Sequence, residues 1–176
     1  MKKNLVDQLS QYAGYHRDRR NIATHFIGIP MIVLAVATLL ARPSFDVAGW
    51  PVSLASLVSV ATALYYLRLD LRFGLAMGVL LGLSLWFAQA CAGASTPLWL
   101  STGLGLFILG WAFQFVGHHY EGRKPAFVDD IVGLIIGPLF VVAELAFLLG
   151  LRPEVQHAIE ARAGAVKSGA VSQATR

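Results

Sequence analysis

IATHFIGIPMIVLAVATLLA, residues 22–41, runs for 20 positions with no Asp, Glu, Lys or Arg and a single histidine, His25. A helix of about 20 largely apolar residues crosses about 30 Å of hydrocarbon, so this run is long enough to span a bilayer. Four further runs repeat the pattern: Trp50 to Leu67, Phe73 to Ala92, Pro97 to Gly117 and Ile131 to Leu151. Each is bounded by charge, Gly or Pro, and none shows the two-residue alternation of a barrel strand. The expected fold is therefore all-α: a polytopic membrane helical bundle with about five hydrophobic helices and a short N-terminal amphipathic helix. Residues 1–151 are expected to form a single integral membrane domain, and 152–176 a polar, partly flexible C-terminal tail in which Pro153 could open a short helix through Ala163. Composition agrees. Of 176 residues only 14% are charged, against roughly 25% in an ordinary soluble domain, and mean hydropathy is +0.62. Too few charges remain to cover a water-facing globule, which excludes a disordered tail protein, a coiled coil and a cytosolic nucleic-acid binder.

The N-terminus does not read as a signal peptide. Lys2 and Lys3 are followed by Asn4, Asp7, Gln8 and Ser10 rather than by an apolar segment. Leu5, Val6, Leu9, Tyr12 and Ala13 recur instead at helical spacing, as in a helix lying on a membrane surface. Counting five crossings puts Lys2, Lys3, Arg17, Arg19, Arg20, Arg68, Arg72, Arg123 and Lys124 on one side. Arg42, Arg152 and Arg162 fall on the other, so the N-terminal side is expected to be cytoplasmic. Trp50 and Trp99, each opening a span, suit aromatic anchors at the opposite interface.

Five histidines occur, and the same count brings four of them to the cytoplasmic interface. His16 and His25 flank the entrance of the first span; His118 and His119 close the fourth. His157 is left in the tail. Asn21 precedes His25 by four residues, and Gln114, His118 and Glu121 follow at steps of four and three, each set sharing a helix face. His119 is turned about 100° away. Nearby carboxylates are Glu121, Asp129 and Asp130. Convergent imidazoles suit Zn, Fe, Cu or Ni, and residue type alone does not separate an oxygen-using Fe(II) centre from a hydrolytic zinc. A non-catalytic lipid-binding protein with hydrogen-bonded histidines is a third reading. The lone Cys91, inside an apolar run, excludes a disulfide framework and a cysteine-built metal site.

Several ordered motifs resemble one family. Tyr12-Ala13-Gly14-Tyr15-His16 is followed by Asn21-Ile22-Ala23-Thr24-His25-Phe26-Ile27-Gly28-Ile29-Pro30. Trp111-Ala112-Phe113-Gln114-Phe115-Val116-Gly117-His118 and Glu121-Gly122-Arg123-Lys124-Pro125-Ala126 come later, then Gly137-Pro138-Leu139-Phe140 ahead of Glu144. Over roughly residues 5–150 the chain resembles the membrane-bound 2-hydroxy fatty acid dioxygenases of fatty acid α-oxidation. The resemblance implies an Fe²⁺ enzyme that takes a long-chain 2-hydroxy fatty acid and O₂ to the acid one carbon shorter and CO₂. It implies His16, His25 and His118 as catalytic metal ligands, with His119 or Glu121 completing the set, and Asn21, Gln114 and Glu121 as supporting groups. Arg123, with Lys124 and Arg20, would bind the substrate carboxylate at headgroup depth.

One O₂ accepts the four electrons that this reaction removes, so no redox partner is required, and the chain holds no dinucleotide fingerprint. Partners are then the fatty acid, O₂ and a lipid bilayer, and no nucleic acid. The host membrane would be the endoplasmic reticulum or a bacterial inner membrane, with the histidines at the cytoplasmic face. Glu144 is expected deep in the fifth span, away from the histidines. Gly74, Gly78 and Gly82 are expected to admit close helix packing.

Overall fold

The computed structural model describes residues 3–125 and 130–167. Lys2, Asp129 and the tail beyond 167 lie outside them, as does the side chain of Trp50. The element order is α1 (Leu5–Ala13), α2 (Arg19–Leu40), β1 (Ser44–Val47), β2 (Trp50–Ser53), α3 (Leu54–Leu69), α4 (Leu71–Ala92), α5 (Thr96–Glu121), α6 (Gly133–Leu148) and α7 (Pro153–Ala163). Each of the five apolar runs contains a helix, but they are not equivalent. Helices α2, α4 and α5 are long and apolar enough to cross a membrane, and α6 with α7 adds a fourth only if a pair bent by 116° counts as one. The 16 residues of α3 give about 24 Å, less than the hydrocarbon thickness.

Trp50 does not open a helix. It pairs with Val47 in a two-stranded antiparallel hairpin, closed by Ala48 and Gly49, both at positive φ, the requirement of a two-residue hairpin turn. Ser53 then caps α3 by accepting from the Ser56 amide, and Asp70 caps α4 by accepting from Phe73.

Two compact units divide the chain. Within the second, Ile27–Ala112, α3 packs on α4, and Ala37, Ala41, Ala55 and Ala88 form a small-residue core. A Cβ on Gly74 would lie 2.6 Å from the Leu67 backbone, whereas one on Gly78 or Gly82 would meet nothing within 4 Å. Only the first of the three expected glycines therefore serves close packing. The tight seam is elsewhere. A Cβ on Gly103 would strike Leu39, and one on Gly110 would come within 2.9 Å of the Gly28 carbonyl, so α5 packs on α2 at these two positions. Trp99 donates its indole N–H to the Thr38 carbonyl at 2.7 Å beneath the Arg42 guanidinium. Leu57, Val60, Leu64, Leu75, Val79 and Leu83 point outward, far more apolar surface than water-soluble monomers expose.

The first unit joins Met1–Phe26 to Phe113–Arg176. Asn4 and Asp7 close a reciprocal capping box at the start of α1. The apolar stripe Leu5, Leu9, Tyr12 and Ala13 is buried because α6 and α7 pack on this helix. Protein, rather than lipid, covers the amphipathic face. The helix expected from Pro153 through Ala163 forms as α7. Gly150 and Arg152 take positive φ, the chain reverses, and α7 buries Val155 and Ile159. Arg162 then meets Asp7 at 2.6 Å, so the tail returns to the N-terminal helix instead of lying across the bundle from it.

Candidate metal centre

His16 sits just beyond α1, His25 two turns into α2 and His118 one turn before the end of α5. One ligand atom from each lies within 4.8 Å of the other two. Ring centroids are 4.5 Å apart for His16–His25, 4.9 Å for His16–His118 and 5.1 Å for His25–His118. His16 and His25 are fully buried, and His118 is 6% exposed. Tyr12 stacks on His16 with centroids 4.2 Å apart and planes 6° from parallel, and Phe140 of α6 closes the same side.

Hydrogen bonds set the tautomers. Nδ1 of His16 lies 2.8 Å from the Tyr12 carbonyl, and Nδ1 of His25 lies 2.8 Å from the Asn21 carbonyl. A carbonyl only accepts, so both rings donate from Nδ1 and carry their lone pair on Nε2. Those two Nε2 atoms face each other at 3.0 Å. Two lone pairs at that separation repel unless a cation or a proton lies between them. Nδ1 of His118 is also buried and has no hydrogen-bond partner among the described residues. Burial, and next the neighbouring His25, hold His16 well below the ordinary histidine range, so the ring is neutral near pH 7. A histidine whose second nitrogen donates to a backbone carbonyl is the usual metal-ligating arrangement. The donor set thus fits a borderline divalent metal with positions left for other ligands.

Glu121 clasps the ligand segments together. Its carboxylate accepts from the backbone amides of Arg17 at 3.0 Å and Asp18 at 2.8 Å, and from the Asn21 carboxamide at 3.0 Å. A carboxylate at the start of α2 also favours that helix's dipole. With its oxygens so engaged, Glu121 anchors the segment between His16 and His25 and is not among the converging ligands. Gly117 lets α5 approach: a Cβ there would overlap the side chains of Asn21 and Thr24.

Arg17 and Glu144 enter by a route not evident in the sequence. Arg17 is buried, donating to the carbonyls of Ala13, His16 and Gly164, and its Nη2 lies 3.5 Å from Glu144. Because α6 runs beside α1 and the chain then turns back, Glu144 is brought to the residue next to His16, not carried away from it. A cavity of about 20 Å³ beside this pair, lined by Gln156, Ile159 and Glu160, has room for about one water.

His119 is exposed on α5 and lies outside the cluster, as its rotation from His118 requires. Arg20 pairs with Asp18 at 2.9 Å and covers the Tyr120 ring. Arg123 donates to the Gly14 carbonyl at 2.8 Å, and Lys124 is exposed. Gln114, one turn before His118, is buried. Asp130 accepts from Gln11. Tyr12, Phe140 and Glu144 were not expected at the site; the step of four from Tyr12 to His16 was the available signal for the first.

Comparison with known proteins supports the same reading of the chain. The family model described as 2-hydroxy-palmitic acid dioxygenase Mpo1-like matches residues 2–149. The curated 2-hydroxy-palmitic acid dioxygenase MPO1 of Saccharomyces cerevisiae is 35% identical over 159 residues, covering 89% of this chain and 88% of the yeast protein. No solved structure matches. With nearly the whole hydrophobic region matched and both histidine segments inside the matched span, the chain belongs to the Mpo1-like family.

Proposed function

We propose that this protein is an Fe(II)-dependent dioxygenase that converts a long-chain 2-hydroxy fatty acid and O₂ into the acid one carbon shorter, CO₂ and water. The observation that supports it most is the meeting of three buried imidazoles, one ring nitrogen of each within 4.8 Å of the other two. The activity named for the yeast relative supports the substrate class. His16, His25 and His118 would hold the metal. Fe(II) held there would supply the oxygen chemistry.

The chain's own residues do the rest. Carbonyls of Tyr12 and Asn21 keep the two rings in the ligating tautomer. Tyr12 and Phe140 shield His16 from water. Arg123, Lys124 and Arg20, near the end of α5 and the start of α2, supply positive charge toward a carboxylate at headgroup level. The apolar exterior of α3, α4 and α5 suits a bilayer, of the endoplasmic reticulum or a bacterial inner membrane, with the histidines at its cytoplasmic face. Since α7 returns to α1, we favour an even number of crossings.

Protein reconstituted anaerobically with Fe(II) is expected to consume O₂ only when a 2-hydroxy fatty acid is added. Lipid ester or amide turnover under strict anaerobiosis with zinc would support a hydrolase instead. Absence of any stoichiometric metal would support a non-catalytic role.

A further inference from the structure

Gln114 is 95% buried by its 5% exposure, yet its carboxamide nitrogen has no hydrogen-bond partner among the described residues. Buried amides without partners are uncommon, and each asks for an explanation. This one precedes His118 by one helical turn on the same face of α5. Helical side chains lean toward the N-terminus, so the His118 ring lies over the turn that holds Gln114. A buried N–H donor without a partner among the described residues thus lies one helical turn from a candidate metal ligand.

Order along α5 indicates which part of a substrate would reach it. Beyond His118 come Glu121, the last residue of α5, and then Arg123 and Lys124; before Gln114 the helix is almost wholly apolar. A 2-hydroxy acid lying along this gradient turns its carboxylate toward the charged end and its tail toward the apolar one. C2 and its hydroxyl then fall on the Gln114 side of the carboxylate. We propose that the Gln114 carboxamide donates a hydrogen bond to the 2-hydroxyl oxygen and so selects hydroxylated over unsubstituted acids. The proposal rests on the metal-centre reading above.

The test measures binding without turnover. Protein loaded anaerobically with Fe(II) is titrated with a long-chain 2-hydroxy acid and with the unsubstituted acid of equal length, for wild type, Gln114→Leu and Gln114→Glu. Iron content and Tm are measured in parallel. Both variants are expected to keep their iron and to lose preference for the hydroxy acid by about tenfold or more. Gln114→Leu should melt no lower than wild type, because an apolar side chain of similar size strands no donor. Undiminished preference in Gln114→Leu overturns the proposal, as does a lowered Tm or lost iron in that variant, which would mark a structural role. Wild type that takes up no iron overturns the metal-centre reading itself, and this inference with it.

Discussion

At His16 and His25 one local device recurs: each ring donates from Nδ1 to the carbonyl four residues earlier, which aims Nε2 into the shared volume. Glu121 secures both devices at once, because the amides it binds lie in the short segment joining them. Replacing Glu121 by Ala strands three donors. Stability should fall by about 2–3 kcal/mol, seen as a lowered Tm, with iron affinity falling alongside; Glu121→Gln should cost less on both counts. Convergence of the three histidines was legible because counting helices carries both segments to one interface. Glu121's role was not: whether a carboxylate takes a metal or backbone amides depends on where Arg17 and Asp18 point, and no spacing encodes that.

Among the elements, α5 and α2 meet through glycines seven residues apart, Gly103, Gly110 and Gly117. Gly110→Ala would push a methyl against the Gly28 carbonyl and Ile32, and should destabilise by about 1–3 kcal/mol. Gly78→Ala meets open space and should be neutral, or stabilise by about 0.5–1 kcal/mol through helix propensity; thermal melting in detergent separates the two. Periodicity showed the apolar runs, but sequence does not say which glycines face a partner: of the triplet it favoured, only Gly74 does. The tail helix was legible from Pro153, but its packing on α1 was not. Val155 and Ile159, spaced by four, were the signal, diluted by the charged residues around them. A chain ending at Leu151 loses the cover over α1 and the Gly164 carbonyl that holds Arg17. Faster amide exchange across α1 and weaker iron binding are the expected results.

For the molecule as a whole, the outward apolar surface and the return of α7 to α1 bear on topology. Single cysteines at positions 3 and 157, introduced separately into a Cys91→Ser background, should react with an impermeant thiol reagent from the same face of sealed vesicles. Labelling from opposite faces would restore the odd number of crossings that hydropathy alone suggests. The proposed activity requires three imidazoles to share one ion. Iron per chain after anaerobic Fe(II) reconstitution tests that most directly. Wild type and His119→Ala should hold about one equivalent, and His16→Ala, His25→Ala and His118→Ala each far less. Wild type without stoichiometric iron, or three histidine variants that bind it as wild type does, would contradict it.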